Sequence, residues 1–114
     1  MKREILFRGK RRDTGEWIYG WLIQHDNLKY YILWYDSLTF RWKKDEVIEE
    51  TIGQFTGLTD KNKIRIFEDD LISKGNVIEY SYGSFNINGD TPLNAILSRI
   101  EIIGNIHDNP ELAK

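Results

Sequence analysis

The chain has 114 residues, enough for one compact domain or two very small ones. Its 16 basic and 18 acidic side chains leave a net charge of −2, which argues against a protein that coats polyanions by charge excess. With no cysteine, disulfides, thiolate metal sites and cysteine nucleophiles are excluded, and 40% apolar with 30% charged residues is a globular rather than a disordered balance.

Met1-Lys2-Arg3-Glu4 is followed by no apolar stretch of signal-peptide length, and no run approaches the roughly 20 apolar residues of a membrane span. The expectation is a cytoplasmic protein with no membrane partner. Period-two alternation then takes over. Glu4–Arg8 and Glu16–Ile23 read as a hairpin around Asp13-Thr14-Gly15, where glycine accepts a positive φ cheaply. In Glu16–Ile23 one face carries Trp17, Tyr19, Trp21 and Ile23, and the other Ile18, Gly20 and Leu22. Leu28–Tyr35 alternates Leu28, Tyr30, Ile32 and Trp34 against Lys29, Tyr31, Leu33 and Tyr35. Leu38, Phe40 and Trp42 form one face of a further strand, with His25-Asp26-Asn27 and Asp36-Ser37 supplying turns.

The later half has shorter elements. A polar turn at Asp60–Lys63 precedes an Ile64–Phe67 strand and the acidic cluster Glu68-Asp69-Asp70. Leu71–Ser73 and Val77–Tyr82 read as strands joined across Gly75-Asn76, and Gly83-Ser84 leads into Phe85–Asn88. Thr91 as N-cap, Pro92 at the first helical position, and Leu93, Ile96, Leu97 and Ile100 at helical spacing predict one short helix. Arg99–Ile106 is strand-like, and Asn109-Pro110-Glu111-Leu112 starts a last helical turn.

Eleven of the 15 aromatic residues precede residue 58, so the halves differ in character. The reading is a mainly β protein with an N-terminal subdomain at 1–50, built on an aromatic-rich antiparallel sheet, and a C-terminal subdomain at 51–114. Two of the early strands are apolar on both faces. A sheet this small does not cover both faces from its own strands, so either the second half packs across it or another subunit does, and self-association is expected.

Groups that carry chemistry are sparse. His25 and His107 lie in no nucleophile or metal motif, and Glu68, Asp69 and Asp70 point alternately in an extended segment, so three adjacent acids rarely converge on one ion. No catalytic, cofactor or metal site is assigned. Binding signals are better. Arg8, Lys10, Arg11 and Arg12 lie near the predicted hairpin end, and with Trp17, Trp34 and Trp42 they supply the phosphate-attracting and base-stacking groups of a single-strand surface. The competing reading is that basic hairpin ends keep sheet edges soluble.

The run Glu50-Thr51-Ile52-Gly53-Gln54-Phe55-Thr56-Gly57-Leu58-Thr59-Asp60-Lys61-Asn62, followed by Ile66-Phe67-Glu68-Asp69-Asp70-Leu71-Ile72, resembles the central signature of the YopX-like family. Arg3–Lys10 with Asp13–Gly20 resembles its opening, and Ile100–Leu112 its close. The family has glycine where this chain has Lys63 and Asp69. Asp tolerates left-handed geometry, so Asp69 is expected to keep its turn, whereas Lys63 points to a changed one. The resemblance implies a phage or prophage origin and an SH3-like small barrel in the C-terminal part. It implies no chemistry for the motif. The functional expectation is a non-enzymatic, self-associating module that binds a host or phage protein, with a nucleic-acid-binding module as the alternative.

Overall fold

The structure, a computed structural model, describes residues 4–89, 91–93 and 99–113. It is mainly β and divides into two compact units, the first ending at Gln54 and the second beginning at Phe55. No helix among the described residues is long and apolar enough to cross a membrane.

In the first unit, β1 (Phe7–Lys10), β2 (Trp17–Gln24), β3 (Tyr30–Asp36) and β4 (Arg41–Val47) pair in sequence, each antiparallel to the next. Alternation along β2 and β3 follows the sequence reading, and the pairing places Ile18, Ile32 and Val47 on the inner face, all buried, with Leu22, Tyr30, Trp34 and Ile52 packed around them. Full burial of each such aliphatic side chain is worth about 1.5–3 kcal/mol.

Strand β2 changes partner midway. Trp17–Gly20 pair with β1, whereas Trp21–Gln24 pair with β3. The corner falls at Gly20, where a Cβ would overlap the Leu33 carbonyl oxygen. The free edge of β1 is then taken up by the chain beyond β4. Arg11 bridges Val47, the Lys10 carbonyl accepts the Ile48 amide at 2.9 Å, and Thr51 Oγ1 accepts the Lys10 amide at 2.9 Å from a 3-10 turn at Glu49–Thr51. The start of β5 (Gly53–Thr59) completes the edge, Gly53 opposite Arg8 and Gln54 opposite Phe7. Four hairpin-linked strands and the start of a fifth thereby curl around one small core.

Two local expectations change here. Leu38 and Phe40 are not strand residues; they lie in a turn, 90% and 80% exposed, because the Asp36 carboxylate accepts the Leu38 amide at 3.0 Å and the Thr39 hydroxyl at 3.1 Å and bends the chain. Leu28 also belongs to a turn, with a left-handed φ of 63°.

In the second unit the rest of β5 pairs with β6 (Arg65–Phe67), and β7 (Asp70–Ser73), β8 (Asn76–Ser81), β9 (Ser84–Ile87), β10 (Thr91–Pro92) and β11 (Gly104–Asn105) form a sheet in the order β10-β9-β8-β7-β11. Among the described residues no ladder joins β10 to β11 in this sheet. Its turns fall one residue earlier than predicted, at Lys74-Gly75 and Tyr82-Gly83, where Tyr82 and Gly83 both take positive φ as a type I′ turn requires. Ile66, Ile78, Ile87, Leu93 and Ile100 are its buried core. Thr91 and Pro92 extend the sheet rather than cap a helix. The predicted helix otherwise falls on 94–98, outside the described residues. Of the Arg99–Ile106 strand only Gly104–Asn105 forms, and Pro110–Ala113 is a 3-10 turn.

Candidate functional site

The outer face of the first unit's sheet is aromatic. Trp21 lies opposite Leu33, and Tyr35 opposite Trp42, so the alternation of β2, β3 and β4 brings Tyr19, Trp21, Tyr35 and Trp42 to one surface. The Tyr35 and Trp42 rings meet edge-on at 5.4 Å between centroids, and the Trp21 and Trp42 rings are tilted at 6.4 Å. None is buried: Trp21 is 62% exposed, Trp42 63%, and Tyr19 and Tyr35 47% each. Between them runs a shallow groove of about 270 Å³. At the bare Gly20 the groove reaches the backbone, and Ile5, 61% exposed, lines an adjoining hollow beside Trp21.

The seven residues singled out from the sequence part company. Arg8 and Lys10 do converge on Trp17, with the Arg8 guanidinium carbon 4.7 Å and the Lys10 ammonium 5.4 Å from its ring centroid. Arg8 is buried, however. Arg11 makes a bidentate pair with Asp13 at 3.0 and 2.9 Å and lies 3.5 Å from Asp45. The Asp13 hydrogen bond, then the nearby carboxylates, hold its proton more firmly than usual. Arg12 donates to Glu46 at 2.9 Å. Trp34 donates its indole N–H to Asp45 at 2.8 Å and packs against the inner core. The acids of β4 thus engage two of the four cations and one of the three tryptophans. Only Trp42 lies on the exposed aromatic face.

Tyr19, Trp21 and Tyr35 are not among those seven. The alternation puts Tyr19 and Trp21 on one face of β2 and Tyr35 with Leu33 on one face of β3. What joins those faces to Trp42 is the cross-strand register, which depends on a four-residue turn at residues 37–40.

In the second unit the signature residues serve turns. Asp60, buried, accepts the amides of Asn62 at 2.8 Å, Ile64 at 3.0 Å and Ile102 at 2.9 Å. Asp70, also buried, accepts the Phe67 amide at 2.7 Å. Asp69 takes a left-handed conformation, φ 72°, as expected of a glycine-like turn position, and so does Lys63, φ 65°, contrary to the expectation of a changed turn. Asp69 Oδ2 accepts from His107 Nε2 at 2.9 Å, and Asn105 holds the His107 and Asp108 amides at 3.0 and 2.9 Å. These contacts join the turn before β7 to the turn after β11. Among the described residues no group of three or more acidic or histidine side chains is arranged to hold a metal ion.

The family model described as YopX protein matches residues 6–114. A crystal structure of protein EF1440 from Enterococcus faecalis is similar at a TM-score of 0.63 and 23% identity, over 99% of this chain and 100% of that one. At that identity the likeness shows the fold. No curated protein matches the chain.

Proposed function

The chain belongs to the YopX family, and on that premise we propose that it is a non-enzymatic protein-binding module, of phage or prophage origin, acting in the cytoplasm of a bacterial host. The observation that carries the reading is the cluster of Tyr19, Trp21, Tyr35 and Trp42, 47–63% exposed on one sheet face. Tryptophan and tyrosine concentrate binding energy at protein interfaces, because they remove a large area from water while losing few rotamers. A sheet that leaves four of them in water on one face gains by covering them.

Nucleic acid is the second reading, and the stacking of Arg8 and Lys10 on Trp17 favours it. Against it, Arg11 and Arg12 are neutralised by Asp13, Asp45 and Glu46, which put negative charge where a phosphate chain would run.

A photo-crosslinking amino acid placed at Trp42, and at exposed Lys29 as a control, tests the protein-binding reading in cells. Discrete protein adducts from position 42 and none from position 29 are expected. Equal labelling at both positions, or adducts at neither, overturns it. Tight, salt-sensitive binding of oligonucleotides that is lost with Lys10→Ala would promote the second reading instead.

A further inference from the structure

Resting on the protein-binding reading, we infer that the occupant of the aromatic face is a second copy of this chain, in a symmetric dimer whose centre is Trp21 and Trp42. The area agrees with what a dimer needs. At the exposures of 47–63% seen here, four aromatic side chains of roughly 150–250 Å² each leave on the order of 450 Å² in water. A stable interface buries about 800 Å² per partner, a little over half of it apolar. The patch therefore supplies approximately the apolar share of one standard interface, and Ile5 beside Trp21 extends it.

The charge pattern agrees as well. An isologous dimer sets each patch against itself, so an unpaired charge near the two-fold axis meets its own copy. On this face the register places Lys44 and Glu46 of β4 with Trp42, and Arg8 opposite Tyr19; Glu46 is paired with Arg12 at 2.9 Å, and Arg8, buried, stacks on Trp17. Lys44 is drawn away from the tryptophans, lying 5.3 Å from the Tyr31 ring centroid and donating to His25 at 3.0 Å. The centre of the patch is uncharged aromatic surface, which a copy matches and a strongly charged partner does not. The groove between Tyr19, Trp21, Tyr35 and Trp42 also suits a ring offered by the other protomer.

The test is sedimentation equilibrium on the full chain at rising concentration, with Trp21→Ala/Trp42→Ala, and Tyr82→Ala as an exposed control from the second unit. Wild type and the control are expected to reach twice the chain mass with the same micromolar dissociation constant. Trp42→Ala alone should weaken association about 30-fold, the size of an interfacial hot spot, and the double variant should stay monomeric with an unchanged melting curve. If the double variant unfolds, iodide quenching of wild-type tryptophan fluorescence takes its place, and it must fall as concentration rises. A wild type that remains monomeric overturns the second copy as occupant and leaves the crosslinking test of the protein-binding reading standing. A folded double variant that dimerises like wild type overturns this face as the dimer interface, and the protein-binding reading then rests on the crosslinking test.

Discussion

Asp60 accepts the amide of Ile102 at 2.9 Å across 42 residues of chain, while its other oxygen takes the amides of Asn62 and Ile64. One buried carboxylate thus shapes the β5–β6 turn and ties it to the segment that leads into β11. Truncation to alanine strands three amides, each of which costs about 1–3 kcal/mol when left unmet. Asp60→Ala should therefore destabilise the protein by at least about 3 kcal/mol, and Asp60→Asn by less, since one carbonyl remains to accept. Denaturant titration followed by tryptophan fluorescence and by backbone dichroism measures both. An Asp60→Ala loss under about 1 kcal/mol would refute this role.

The same carboxylate sets an acid limit. Burial alone would raise the Asp60 pKa, but the amides of Ile102, Ile64 and Asn62, with the Lys61 charge, outweigh it and bring it below the usual 3.8. Asp36 is lowered too, first by its hydrogen bond from Lys43 and then by the Leu38 amide. An acid with a depressed folded pKa adds stability above its unfolded pKa and loses it as pH falls through the folded value. Melting temperature should be insensitive to these two groups from neutral pH to about pH 5 and fall below about pH 4. Asp60→Asn should make that fall shallower, and a fall of unchanged steepness would contradict the assignment.

Lys63 occupies a left-handed turn position with φ 65°. A side chain there costs about 1–2 kcal/mol, part of which glycine gives back through its freer unfolded chain. Lys63→Gly should therefore stabilise the protein by about 0.5–1 kcal/mol. No gain in denaturation midpoint would show that the turn carries no such strain.

Gly20 is the corner of β2, and a Cβ there overlaps the Leu33 carbonyl oxygen, a backbone atom that does not move without displacing its strand. Gly20→Ala should cost more than about 3 kcal/mol and appear first as lost near-ultraviolet dichroism of the first unit's tryptophans. Native-like spectra and stability would mean that β2 does not turn here.

Much of this fold is legible in the sequence, because its strands alternate with period two and its turns carry Asp, Asn and Gly. That alternation sets Ile18 with Leu22, and Ile32 with Tyr30 and Trp34, on single faces; which face is buried, and that Val47 joins it, comes from the pairing of β2, β3 and β4. The candidate site is less so. Tyr35 faces Trp42 only because Asp36 folds residues 37–40 into a turn; an uninterrupted strand through Leu38 and Phe40 would have given Trp42 different neighbours. The pairing of Arg11 and Arg12 with acids more than thirty residues away is likewise a product of β1 meeting β4, and no local pattern announces it. The signature at Glu50–Ile72 had the opposite fate. It identifies the family, and Asp60, Asp70 and Thr51 within it hold backbone amides rather than a ligand.

On the reading proposed above, this protein works through the aromatic face of Tyr19, Trp21, Tyr35 and Trp42, and that face takes protein. It is tested most directly by light-scattering mass on protein purified from cells, read together with the ultraviolet absorbance ratio that separates nucleic acid from protein. A particle of two chains with the absorbance of protein alone is expected. A single chain carrying nucleic acid that salt removes would contradict it and move the site to Arg8, Lys10 and Trp17.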